Sequence, residues 1–450
     1  MKKTHEIVLL FTLSLPLMAA FLAQKGMQFI DTLMMGWIGP EALAAGALGT
    51  SIFINVLLFC MGTLSSVGVF IVRAKGADQY SDIKSCIENG MYLIMLLSFP
   101  CMLILWFIPE VLLRIGEDPV VIDKVRLLLH GLVWGFPGYL LFLLFREFIA
   151  AFSLTRIIMI VTTSSIPLTF LANYLMIYGK YGFPQLGIAG IGYAGALIMW
   201  YMFLCLFIYS KSHPLLKNHL PDNFPTFERT KFLDMLHIGA PSGILLLLEA
   251  SMFLAAAIIM GYFGTNALAA HQIAMQCASI AYTIPFALSM STSYQVGHAA
   301  GAKNIILAQR IIFFAYALGI IISGTLALIF IFSPDMLVRI FLDAGDENFS
   351  TIKKLTISFL LFSGLFQCFD AVQAIANGSL RGFKDTWIPM LLSIACYWLL
   401  GVCGAIYLSF YTPLGAKGVW IGLTLGLVSI AIVLTLRLLK RLKIEHARLQ

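Results

Sequence analysis

The sequence predicts an all-α polytopic membrane protein, with twelve transmembrane helices in two parallel six-helix repeats. Three observations carry this reading. First, only 11% of the 450 residues are charged and 60% are hydrophobic, with a mean hydropathy of +0.92, whereas soluble domains carry about 25% charged residues. Second, apolar runs of about 20 residues, enough to cross roughly 30 Å of hydrocarbon as a helix, recur along the whole chain. Alternating strand patterns are absent, and unpaired backbone groups cannot be left in lipid, so the runs are read as helices. Third, the two halves share short motifs at one displacement. GPEALAAG at Gly39–Gly46 matches GTNALAAH at Gly264–His271, and the same displacement pairs Pro16 with Pro241 and Gly76 with Gly301.

In chain order, the first span covers about 7–37 and follows Met1-Lys2-Lys3. Its apolar run is too long for the core of a cleaved signal peptide, so it is read as a retained span. Within it Gln24, Gln28 and Asp31 stand at i, i+4 and i+7, on one helix face, with Lys25 about 100° round from Gln24. Spans two to four, about 43–72, 88–109 and 127–150, are almost wholly apolar. The fifth, 155–179, carries Thr169 and Asn173 at i and i+4, and the sixth is 186–210. A polar connection, 211–231, then carries Pro214, Pro221 and Pro225.

The seventh span, 232–262, holds Glu249 near its middle and no basic residue alongside it. The eighth, 268–298, presents a polar stripe of Gln272, Gln276, Ser279 and Thr283; the ninth is 308–333. In the tenth, 352–379, Asp370, Gln373 and Asn377 share a face, and the polar turn GSLRGFKDT closes it. Spans eleven and twelve, 386–410 and 415–438, are apolar again. The expected organisation is an N-terminal six-helix lobe at 1–210, a cytoplasmic linker at 211–231 and a C-terminal six-helix lobe at 232–450. Six spans per unit is an even number, so both units enter the membrane from the same side.

The net charge of +7 is a matter of topology. Connections on the N-terminal side, with Arg146 at the end of the fourth span counted among their charges, carry most of the 29 lysines and arginines, and the opposite side carries most of the acids. The positive-inside rule then places both termini in the cytoplasm, and no nucleic-acid partner is expected. The eight cysteines form no CxxC pair and no zinc spacing. Walker A, HExxH and GxSxG motifs are absent as well, so neither an enzyme, nor ATP-driven transport, nor a bound cofactor is expected.

A carboxylate in a membrane helix costs about 2.5–3.5 kcal/mol on insertion scales, so Glu249, Asp370 and Asp31 are the functional candidates. If Glu249 and Asp370 face one another, hard-cation binding and protonation would compete for the same oxygens.

These segments resemble the multidrug and toxic compound extrusion (MATE) family, in its NorM-like bacterial branch, over nearly the whole chain. The resemblance is carried by P-x7-QKG-x4-DT from Pro16 to Thr32, NYLMIYGKYGFPQLGIAGIGYA at 173–194 and P-x7-E from Pro241 to Glu249. It continues in NALAAHQIA at 266–274 and in QCFDAVQAIANGSLRGFKDT at 367–386, the most specific stretch. It implies a V-shaped, two-lobed monomer in the bacterial cytoplasmic (inner) membrane. Such a protein exports organic cations and drugs in exchange for Na+ or H+ by alternating access between its lobes. Glu249 and Asp370 match the family's cation-coupling carboxylates, with Na+ as the metal, and Gln272, Gln276, Ser279, Gln373 and Asn377 would support them. Asp31, Gln24, Asn173 and Thr169 would handle substrate or proton in the N-terminal lobe. The alternative is a lipid-linked oligosaccharide flippase of the same superfamily. That activity asks for basic residues along the cavity, and here only Lys25 offers itself.

Overall fold

The structure is a computed structural model of the chain. It describes residues 2–221, 225–341 and 349–447, with the side chains of the first helix described from Leu10 onward. Among the described residues there is no strand. Among the described residues, eleven helices are long and apolar enough to cross a membrane, and a bent pair supplies a twelfth span. Exposed apolar side chains such as Phe99, Phe313 and Phe332 suit a bilayer rather than water.

By internal packing the chain falls into two compact units. One is Leu15–Gly243, and the other joins Met1–Ser14 to Ile244–Gln450. The divisions therefore cut through two helices, close to Pro16 and Pro241, rather than at the 211–231 connection.

The first unit is built from α1 (Lys2–Ile38, beyond its first residues), α2 (Pro40–Gly76), α3 (Tyr80–Ile115), α4 (Pro119–Val133), α5 (Phe136–Ala151), α6 (Thr155–Tyr178), α7 (Ile188–Ser212) and the short α8 (Pro214–Lys217). The first half of α9 (Arg229–Gly261) completes it. Helices α4 and α5 are the broken fourth span, bent by 49°. Pro137 has no N–H to continue the hydrogen-bond ladder across the break. The carbonyl of Trp134, at the break, accepts the indole N–H of Trp200 at 3.0 Å. The unit also buries a charge: Arg146, read from sequence as part of a connection, lies inside α5 with 1% exposure and pairs with Glu147 at 2.9 Å.

The second unit contains α10 (Thr265–Gly301), α11 (Ile305–Phe332), α12 (Pro334–Phe341), α13 (Phe349–Gly382), α14 (Trp387–Ser393), α15 (Cys403–Phe410) and α16 (Ala416–Ala447), with the second half of α9. A wider π-type segment, Ile394–Val402, joins α14 to α15 in the eleventh span. Helices α10 and α13 approach closely because Gly378 and Gly382, four residues apart, present no side chain. A Cβ at Gly378 would lie 2.2 Å from the Ser289 carbonyl oxygen, and one at Gly382 would lie 2.8 Å from that of Ser293. Small residues at this spacing are how membrane helices gain close packing without a hydrophobic driving force.

The repeat is visible in backbone geometry. Gly39 before α2 and Gly264 before α10 both take positive φ, at 144° and 94°. Just after those helices, Asp78 and Lys303 hold φ of 56° and 54°, an unusual conformation for residues with a side chain.

Candidate cation and ligand sites

In the second unit, α9 and α13 bring the two mid-span carboxylates together. Glu249 and Asp370 are 7% and 4% exposed. They stand close enough for their charges to act on one another. Three neighbours complete the cluster. The Gln373 amide nitrogen donates to Glu249 Oε2 at 3.3 Å and to the Tyr397 hydroxyl at 2.5 Å. The Tyr282 hydroxyl donates to Glu249 as well. Gln373 Oε1 and Asp370 Oδ1 are buried without a hydrogen-bond partner. The cluster thus offers two acids and neutral oxygen donors in a buried interior. Among the described residues, no group of three or more His, Cys, Asp or Glu side chains is placed to hold a metal ion.

Tyr282 and Tyr397 were not legible as site residues. A tyrosine in an apolar span reads as packing, and Tyr397 is delivered by the π-type segment, a register change that no spacing announces. The polar stripe of α10 is only partly brought in. Gln272 and Gln276 are exposed and Ser279 is half-buried, while the buried face runs through His271, Ala274, Ala278 and Ala281. Asn377 is half-buried on α13.

In the first unit, Asn173 on α6 donates its amide nitrogen to Asp31 Oδ1 at 2.7 Å. Asp31, Gln24, Gln28 and Thr169 line a cavity of about 130 Å3, shared with Tyr139 and with Met27, Met35, Met199 and Met202. The Thr169 hydroxyl is spent on the Ser165 carbonyl oxygen at 2.8 Å and that of Thr50 on the Gly46 carbonyl oxygen, so Asp31, the glutamines and Tyr139 are the polar groups left to line the space. Lys25 is exposed and does not line this cavity.

The model of the MatE family matches residues 16–175 and 241–406. The chain belongs to the MatE family. Relatives within it include the probable multidrug resistance protein NorM of Pseudomonas putida, 34% identical over 96% of this chain and 94% of its own length. The protein of the same name from Pseudomonas aeruginosa is 35% identical over 96% of this chain and 88% of its own. The MatE fold is shared by the crystal structure of a eukaryotic MATE transporter, with a TM-score of 0.86 at 22% identity and 100% coverage of both chains. The two matched MatE segments contain Asp31 and Asn173 in one, and Glu249, Asp370, Gln373 and Tyr397 in the other. As a MatE-family chain with these spans, it is a multi-pass membrane protein.

Proposed function

We propose that the protein is a secondary active antiporter that exports organic cations and drugs in exchange for Na+ or H+. Its place is the bacterial cytoplasmic membrane, with both termini inside. The observation that carries this reading is the Glu249–Asp370 pair, two acids buried in one helical unit within reach of each other's charge. Buried charges need compensation, and a monovalent cation or proton supplies it without asking for a larger cage. Should Na+ be the coupling ion, Gln373 Oε1 and the two tyrosine hydroxyls are the neutral oxygens that would join the carboxylates, as a hard cation requires.

A second acid, Asp31, sits in the other unit beside a cavity rich in methionine. Polarizable, flexible methionines suit varied apolar bodies, and a carboxylate suits a cationic head. The relatives' names, probable multidrug resistance proteins, support a drug as the exported ligand. Where the exchange moves one net positive charge inward, as when two cations enter for each cationic drug expelled, it releases about 2.3 kcal/mol per 100 mV, which supports a roughly fiftyfold drug gradient. A lipid-linked oligosaccharide flippase finds no support in the N-terminal cavity, because Lys25 does not line it.

The test is resistance. Cells carrying Glu249→Gln or Asp370→Asn should lose drug resistance while the protein is still inserted in the membrane. Full resistance in both variants contradicts the proposal.

A further inference from the structure

Beyond the carboxylates, helix α13 buries more polar groups than its packing satisfies. Ser363, Gln367 and Asp370 lie at i, i+4 and i+7, one face of the helix, and Gln373 follows one turn on. All four are buried, and Gln367 is 0% exposed. Each keeps an unpartnered side-chain atom: Ser363 Oγ, both amide atoms of Gln367, Asp370 Oδ1 and Gln373 Oε1. A glutamine with neither amide atom bonded is costly, since each orphaned buried group forfeits about 1–3 kcal/mol.

The neighbouring helix repeats the pattern. A Cβ at Gly319 would lie 3.7 Å from that of Ala371, and one at Gly324 would lie 3.8 Å from Cys368 Sγ. This stretch of α11 therefore runs alongside the Gln367–Ala371 stretch of α13. Ser323, between those two glycines, is also fully buried with an unpartnered hydroxyl. Aromatic rings occupy much of the rest of this region, with Trp420 stacked on Phe359 at 5.5 Å and on Phe366 at 6.0 Å. Orphaned polar atoms thus form a row along α13 from Ser363 past Gln367 to Asp370 and Gln373, beside a largely aromatic core in which the Trp420 indole nitrogen is also unpartnered.

We infer that Ser363, Gln367 and Ser323 form a polar inlet through which a monovalent cation, passed between side-chain oxygens and water, reaches the Glu249–Asp370 pair. In the proposed topology the Phe349 end of α13 faces outside, so Ser363 is the outward end of the row and Asp370 lies deeper. This rests on the exchange reading above and deepens it by giving the coupling ion a route. Gln367 is a positioning residue: its amide oxygen accepts from water or faces the ion, and its amide nitrogen orients the next acceptor. Polar groups of this kind are satisfied by water threading a file wide enough to hold it.

Two experiments decide it. In energised vesicles, Gln367→Leu removes both amide atoms at similar volume. The half-saturating external concentration of Na+ or H+ for ethidium efflux should rise about five- to tenfold, with ethidium affinity unchanged. An unchanged half-saturation in the inserted variant overturns the inlet. The second experiment needs no transport. Ser363→Cys is treated from outside with a small, water-soluble methanethiosulfonate, and adducts are counted by mass against the parent chain. An additional adduct supports a hydrated inlet, and none overturns it. A parent protein driven by neither gradient would overturn the exchange reading, while the labelling would still decide whether the row admits water.

Discussion

Asn173 reaches Asp31 across 142 residues of sequence and donates to its Oδ1 at 2.7 Å. The bond fixes one carboxylate oxygen of Asp31 and leaves the other free to meet a ligand in the cavity that Gln24 and Gln28 share. A hydrogen bond to a charged group contributes about 1.5–3 kcal/mol, so this contact helps to hold the carboxylate in place.

Replacing Asn173 with Leu should therefore loosen Asp31 and weaken binding of a cationic dye by about tenfold or more. Equilibrium binding in detergent measures this, with a neutral analogue of the dye as control. Equal weakening for both ligands would mean that the cavity collapsed and that Asp31 is not reading charge.

In the other unit, Gln373 spans Glu249 and Tyr397 with one amide nitrogen. Tyr397→Phe removes a neutral oxygen and keeps the ring. Its effect should be about fivefold in the external cation concentration needed for half-maximal efflux, equivalent to roughly 1 kcal/mol. The maximal rate should hold. A fall in maximal rate with unchanged cation dependence would place Tyr397 in the conformational step instead.

The α10–α13 contact makes a prediction about stability. Gly378→Ala places a Cβ against the Ser289 carbonyl, a backbone atom that cannot move aside cheaply. Overpacking of this kind costs about 1–3 kcal/mol, and the melting temperature in detergent should fall. Gly404→Ala is the control, since a Cβ there meets nothing within 4 Å. Equal melting temperatures for the two variants would show that the helices separate without cost.

Much of this was legible in the sequence, for physical reasons that differ by residue. Span positions follow from hydropathy, because lipid leaves the backbone no option but the helix. The repeat followed from paired motifs, and it reappears as matching positive φ values at Gly39 and Gly264 and at Asp78 and Lys303. Glu249 and Asp370 stood out because a buried acid has few structural uses. Which way a stripe faces did not follow. Gln272 and Gln276 read as a polar stripe that supports the acid pair, but both are exposed, and α10 buries the adjoining His271 and Ala278 face. The break at Trp134 and Gly135 was also hidden, since the apolar run from 127 to 150 passes straight through it. Arg146 was hidden for the opposite reason: a charge near a span end reads as a connection, whereas here it is paired and buried.

The central claim is that the buried acid pair couples export to a cation gradient. Its most direct test is ethidium efflux from energised vesicles, with Na+ and pH gradients imposed one at a time on the parent protein and on Asp370→Asn. The account predicts efflux under at least one gradient in the parent and none under either in the variant. Efflux that persists in an inserted Asp370→Asn protein, or that runs in the parent with both gradients collapsed, would contradict it.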